Sequence, residues 1–189
     1  MPRKPVVGVM GASLNDALTV AEENRLKGLG EALGAAVASA GCILITGATT
    51  GLPDIVTKEF RKLGGFALGV SPAQNHEEHV GRFALPDDGA DVILYTGFGL
   101  KGRNVVNVRS TDIVLIFGGA TGTLNEFTIA YDEGKIIGVL EGSGGVADHI
   151  REIIAFCNKP AKATVLFESD PKRLVIRCVD ALNTTKGEM

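Results

Sequence analysis

The chain has 189 residues, 45% of them apolar and 22% charged, with a formal net charge of −3. That length suits a single domain with a substantial core, and the apolar share excludes a disordered chain. No basic tract could track a nucleic-acid backbone, aromatic residues make up only 5%, and no apolar run is long enough to span a bilayer, so neither nucleic acid nor membrane is an expected partner.

With eight Phe, two Tyr and no Trp, the core must be built mainly from Val, Ile, Leu and Ala. Many of the 25 glycines fall at the ends of predicted strands, which points to close turns and ligand loops. Cys42, Cys157 and Cys178 lie far apart in apolar or helical settings and read as free buried thiols. Two basic residues within 1–5 precede only a brief apolar run, the first strand and not a signal peptide, so a cytoplasmic protein is expected.

Val6–Met10 is a short apolar strand ending at Gly11-Ala12-Ser13, where Gly11 and Ser13 serve either as plain turn residues or as ligand contacts. Leu14–Leu18 reads as a loop, and Thr19-x-x-Glu22 as a capping box. It opens a helix whose face carries Leu26, Leu29, Leu33, Ala36 and Val37, with Gly41 as its stop. Cys42–Ile45 is the second strand, and Thr46–Gly51 its exit loop. Pro53 suits the first turn of the next helix, which ends at Gly64-Gly65. The exit loop is either a mere turn or a ligand loop through Gly47, Thr49 and Gly51. Its recurrence at the same phase as a later glycine loop favours the ligand role.

Phe66–Val70 is the third strand. Residues 73–89 show no period and read as a surface loop, with a lid or a metal site as alternatives. His76-Glu77-Glu78-His79 lacks the spacing of the zinc-hydrolase helix, so no metal is expected. Asp91–Thr96 is the fourth strand. Arg103 and Asn104 then fall in the first turn of a helix running to about Ser110, with Val105, Val106 and Val108 partly facing the core. Arginine is the wrong charge for that end of a helix dipole, so a bidentate contact to phosphate or carboxylate is one explanation and an ion pair the other.

The organising stretch is Asp112–Glu126, D-I-V-L-I-F-G-G-A-T-G-T-L-N-E. Ile113–Phe117 reads as a strand buried on both faces, followed by Gly118, Gly119 and Gly122. A helix over 123–133, opened by Thr121 or Thr123, carries Phe127, Ala130 and Tyr131 inward. Strand, glycine turn and helix start make an anion-binding corner, with Gly118, Gly119, Thr121, Gly122 and Thr123 as candidate phosphate contacts. Glu126 can cap the helix, receive a ribose hydroxyl or transfer a proton. Ile136–Leu140 follows, with a flexible exit at 141–145 and a helix over Val146–Phe156 that turns Ile150, Ile153, Ile154 and Cys157 inward. Thr164–Phe167 is the last strand. Asp170 and Pro171 start the last helix, with Leu174, Val175, Cys178 and Leu182 on its face, and residues 183–189 should fray.

Seven short apolar strands alternating with helices predict an α/β chain. The expected form is one Rossmann-like domain over 1–189, with a doubly wound, mainly parallel sheet of about seven strands and helices on both faces. Right-handed crossovers put the loops after Met10, Ile45, Tyr95 and Phe117 at one carboxyl edge, with a ligand crevice where strand order reverses.

Gly118-Gly119-Ala120-Thr121-Gly122-Thr123-Leu124-Asn125-Glu126 resembles the P-G-G-x-G-T-x-x-E signature of the LOG-like, Rossmann-type superfamily, many of whose members carry the label "possible lysine decarboxylase". That group includes cytokinin riboside 5′-monophosphate phosphoribohydrolases and the molybdenum cofactor carrier protein. Leu100-Lys101-Gly102-Arg103-Asn104 is similar to the family's M-x-x-R-K element, and V-G-V-M-G-A-S and L-I-T-G-A-T-T-G-L are similar to its first two nucleotide-side loops. The chain departs from the pattern at Gly118, Ala120, Leu100 and Asn104, and looks more like the branch of the carrier and uncharacterised bacterial relatives. The resemblance implies a nucleoside 5′-monophosphate phosphoribohydrolase using Arg103 and Glu126 in catalysis. The alternative it implies is a non-catalytic carrier of a phosphorylated pterin-type cofactor or other nucleotide. It further implies a homodimer or higher homo-oligomer and no resident cofactor. No lysine can be assigned to pyridoxal, so decarboxylation is set aside.

Overall fold

The computed structural model describes residues 3–12, 18–160 and 162–187. Among these residues, seven strands form one parallel sheet: β1 (Val6–Gly11), β2 (Ile43–Thr46), β3 (Ala67–Ser71), β4 (Val92–Tyr95), β5 (Ile113–Phe117), β6 (Ile136–Leu140) and β7 (Thr164–Glu168). Their order is β4-β3-β2-β1-β5-β6-β7, with every neighbouring pair parallel. The chain winds outward from β1 to β4, returns to place β5 against the free side of β1, then winds the other way. The reversal therefore lies between β1 and β5, whose register pairs Val7 with Ile113 and Gly11 with Phe117.

The helices are α1 (Val20–Ser39), α2 (Leu52–Lys62), α3 (His76–Gly81), α4 (Gly99–Arg109), α5 (Thr121–Asp132), α6 (Ile150–Cys157) and α7 (Pro171–Gly187). Strand alternation divides the core. Ile113, Leu115 and Phe117 pack with Leu33 and Val37 of α1, Val56 and Phe60 of α2 and Leu174 of α7. Val114 and Ile116 pack on the opposite face with Val108 of α4, Phe127 and Ala130 of α5 and Ile150 of α6. This is a Rossmann-like doubly wound fold, as the βα alternation predicts. The capping box at the start of α1 is formed: the Thr19 side chain accepts from the Glu22 N–H, and Glu22 accepts from the Thr19 N–H.

Several elements differ from their expected form. β4 is not buried on both faces; Val92 and Leu94 are 41% and 47% exposed because β4 is an edge strand with β3 as its one neighbour. The stretch 73–89 holds α3, capped by the Asn75 side chain, which accepts from the Glu78 N–H. His79, expected on a surface loop, is fully buried: its Nε2 donates to the Pro86 carbonyl at 2.9 Å and its Nδ1 lies 2.8 Å from the Ser71 hydroxyl. His76 pairs with Asp87 instead, so the two histidines face different partners. The 146–156 helix begins as a 3-10 turn over Gly145–His149, and Cys157 is exposed, not inward. α7 continues to Gly187, into the stretch expected to fray. Among the described residues no helix is long and apolar enough to cross a membrane.

Candidate ligand site at the carboxyl edge

The exits of β1, β2, β5 and β6 surround a cavity of about 600 Å³ at the strand-order reversal, walled on its sides by α1 and α4. Concave sites belong at this point of a doubly wound sheet, because crossover loops diverge there and leave strand ends uncovered.

The β5 exit forms the cavity's anion-facing side. Gly118 and Gly119 take φ of +61° and +102°, a region that side-chain-bearing residues rarely adopt. A Cβ on Gly119 would also lie 2.4 Å from the Thr123 side chain. α5 has no side-chain cap, and its first helical bond runs from the Leu124 N–H to the Ala120 carbonyl. The N–H groups of Thr121, Gly122 and Thr123 therefore have no intrahelical acceptor, the arrangement that suits a bound anion.

The β6 exit, expected to be flexible, is braced. Ser143 Oγ accepts from the Gly118 N–H at 2.9 Å while its hydroxyl donates to the Leu140 carbonyl at 2.5 Å. The N–H groups of Val146 and Ala147 donate to the carbonyls of Gly119 and Gly118. Asp148 accepts from the N–H groups of Gly142 and Gly144, and Arg25 reaches from α1 to the Gly142 carbonyl. The glycine turn of β5 is thus held from behind by the neighbouring strand exit.

Arg103 sits on the second turn of α4, not the first, because the helix already begins at Gly99. The unfavourable-dipole argument for its role therefore falls. Burial makes the stronger case: Arg103 is 6% exposed and its guanidinium lies over the Gly47 backbone, where a Cβ would come within 2.5 Å of its Nη1. Nη1 donates to Glu126 Oε1 at 3.2 Å and to Asn104 Oδ1 at 3.1 Å. Asn107 Nδ2 also donates to Glu126 Oε1, at 3.2 Å. Burial is the main influence on both ionisable partners: it pushes the Glu126 carboxyl up, against the pull of Arg103, and pushes the Arg103 guanidinium down, against Glu126. Arg103 Nε and Asn107 Oδ1 are buried without a described hydrogen-bond partner.

Of the residues singled out by sequence, Gly11, Gly47, Thr49, Arg103, Gly118, Gly119, Gly122, Thr123 and Glu126 line this one cavity. Gly51 does not; with φ of +85° it forms the turn that starts α2. Thr121 is exposed and off the lining, and Ser13 lies outside the described residues. Sequence reasoning missed Lys101, Asn104 and Ser143, which also line it. On α4, Val108 is buried and Val105 and Val106 are half-buried, as expected, and Arg103, Asn104 and Asn107 are buried beside them.

The profile of the SLOG cluster4 family matches residues 4–175, nearly the whole fold just described. The chain belongs to this family. An uncharacterised protein of Archaeoglobus fulgidus is 30% identical to this SLOG-family chain over 135 residues, 71% of this chain and 79% of the relative. The crystal structure of TM1055 superposes with a TM-score of 0.79 at 22% identity, covering 94% of this chain and 99% of that one. The molybdenum cofactor binding protein of the phototrophic bacterium Rippkaea orientalis superposes with a TM-score of 0.74 at 26% identity, covering 96% and 98%. The SLOG-family chain shares its fold with these two structures over nearly its whole length.

Proposed function

We propose that this chain binds a phosphorylated small molecule, a pterin-type cofactor or a nucleotide, and carries it without cleaving it. The observation that carries this reading is the engagement of Glu126. Its Oε1 already accepts from Arg103 and Asn107. A carboxylate with Oε1 committed in this way has only its second oxygen left to stabilise positive charge developing on a ribose ring. The likeness to the Rippkaea molybdenum cofactor binding protein supports the pterin-type ligand in particular. In this reading the N–H groups of the α5 first turn take the phosphate, while the Gly11, Gly47 and Thr49 side of the cavity takes the ring system.

The second reading, hydrolysis of a nucleoside 5′-monophosphate at the base–ribose bond, is favoured by Arg103 and Glu126 lying together in the same cavity. Calorimetry with a phosphorylated pterin and its dephosphorylated parent tests the first reading. Loss of the phosphate is expected to weaken binding by roughly tenfold or more, as removal of a charge-assisted set of hydrogen bonds should. Equal affinities for the two would reject the phosphate contact, and no binding of either would reject the pterin-type ligand.

A further inference from the structure

The charges lining the cavity do not cancel. Among the described residues, five ionisable side chains face it: Glu22, Arg25, Lys101, Arg103 and Glu126. Arg103 and Glu126 form a buried ion pair. Glu22 is held in the α1 capping box with Arg25 one turn along the same helix, and the Arg25 guanidinium is fixed on the Gly142 carbonyl. That leaves Lys101, on the first turn of α4. It makes no hydrogen bond or ion pair with any described residue, and its Nζ stands 3.8 Å from where a Cβ on Gly122 would lie. Gly122 belongs to the uncapped first turn of α5, so an ammonium group and the positive end of a helix dipole face the same point. Arg103, more than nine-tenths buried in the wall of the same cavity, has an Nε that no described residue satisfies.

Among the described residues, the uncancelled charge here is about +1 from Lys101, whose field also reaches Glu126, and roughly +0.5 from the helix end. A monoanion leaves part of this field unmet, and a dianion matches it more closely. We propose that Lys101 is the charge selector of the site, making it take a terminal phosphomonoester in its dianionic form in preference to a phosphodiester or carboxylate. This rests on the reading of the cavity as a phosphate-ligand site and specifies which phosphate chemistry it accepts. Lys101 acts by direct contact with the phosphoryl oxygens, and Arg103 stays in its pair with Glu126.

The test is calorimetry with two probes, adenosine 5′-monophosphate and its 5′-methyl phosphate ester, on wild type, Lys101→Met and Lys101→Arg. The monoester gains its second charge around pH 6, so in wild type its affinity relative to that of the ester should rise between about pH 5 and about 7.5, the ester serving as the control for ionisation of Glu126, which acts on both probes. Lys101→Met should weaken the monoester roughly tenfold at the higher pH, change the ester by less than about twofold and flatten the pH profile, and Lys101→Arg should restore most of the loss. Wild type that prefers the monoester while Lys101→Met keeps the same preference overturns the role of Lys101 and leaves the phosphate site standing. Wild type that binds neither probe, nor inorganic phosphate at millimolar concentration, overturns both.

Discussion

At the scale of single residues, the Arg103–Glu126 pair decides how the cavity behaves. Desolvation is the leading influence on both members, and their mutual attraction only partly offsets it. A folded-state Glu126 pKa above the unfolded value means that the fold favours the protonated acid. The stability this contributes is fully present below the unfolded pKa and is lost as pH rises through the folded pKa. Glu126→Gln removes that dependence. Wild type should therefore lose stability relative to Glu126→Gln as pH is raised from acid toward neutrality in urea unfolding series; a difference that stays flat or runs the other way contradicts the raised pKa. Gly47 belongs to the same unit. An alanine there would push against the Arg103 guanidinium, the far end of a flexible side chain, and not against backbone. Gly47→Ala should cost about 1–3 kcal/mol, because it displaces one partner of the buried Arg103–Glu126 pair, and weaken ligand binding several-fold. A variant that binds normally would show that Arg103 placement is irrelevant to the ligand. The importance of Gly47 was legible as a glycine in a strand-exit loop. The reason for it, a guanidinium arriving from a helix more than fifty residues onward, was not.

At the scale of elements, the strand–glycine–helix units at β1, β2 and β5 were legible because a buried strand and a turn needing positive φ both leave local marks. Where the structure departs from expectation, the deciding interaction is non-local. The run Val92–Tyr95 has the composition of a central strand, and only sheet order reveals it as an edge. α3 has six residues, too few to show a helical period, and its anchor is His79 buried against Ser71 and Pro86. α4 turns Arg103, Asn104 and Asn107 inward because it borders the cavity; Val108 packs in the core as its apolar spacing implies, but buried polar residues leave no mark in that spacing. Ser143 was hidden for a similar reason: a serine in a glycine-rich exit looks like turn chemistry, yet its hydroxyl satisfies the buried Gly118 N–H. Ser143→Ala leaves that donor unpaired and should cost about 1–3 kcal/mol in chemical unfolding. It should also loosen phosphate-ligand binding, because the β5 turn loses its brace. A stability change within about 0.5 kcal/mol of wild type would show that the brace is carried by the backbone bonds of Val146 and Ala147 alone.

At the scale of the whole molecule, the exposed face of β4 and the start of α4 bring Val92, Leu94, Tyr95, Phe98 and Leu100 to the surface. An unpaired edge strand with apolar side chains is a surface that proteins usually cover. We expect a homo-oligomer that buries it, and light scattering should report a mass at least twice 19.7 kDa at micromolar concentration. Replacement of Leu94 by lysine should shift that mass toward the monomer. A monomer in wild type, or an unchanged oligomer in Leu94→Lys, contradicts the assignment of this face.

The central claim is that the cavity at the β1–β5 reversal holds a phosphorylated ligand intact. Equilibrium dialysis of the protein against adenosine 5′-monophosphate, followed by chromatography of the recovered ligand, reads binding and cleavage together. The monophosphate should be retained on the protein side, with no free adenine above a protein-free control and the same outcome for Glu126→Gln. Adenine that accumulates with wild type and disappears with Glu126→Gln would contradict it and establish the glutamate as catalytic.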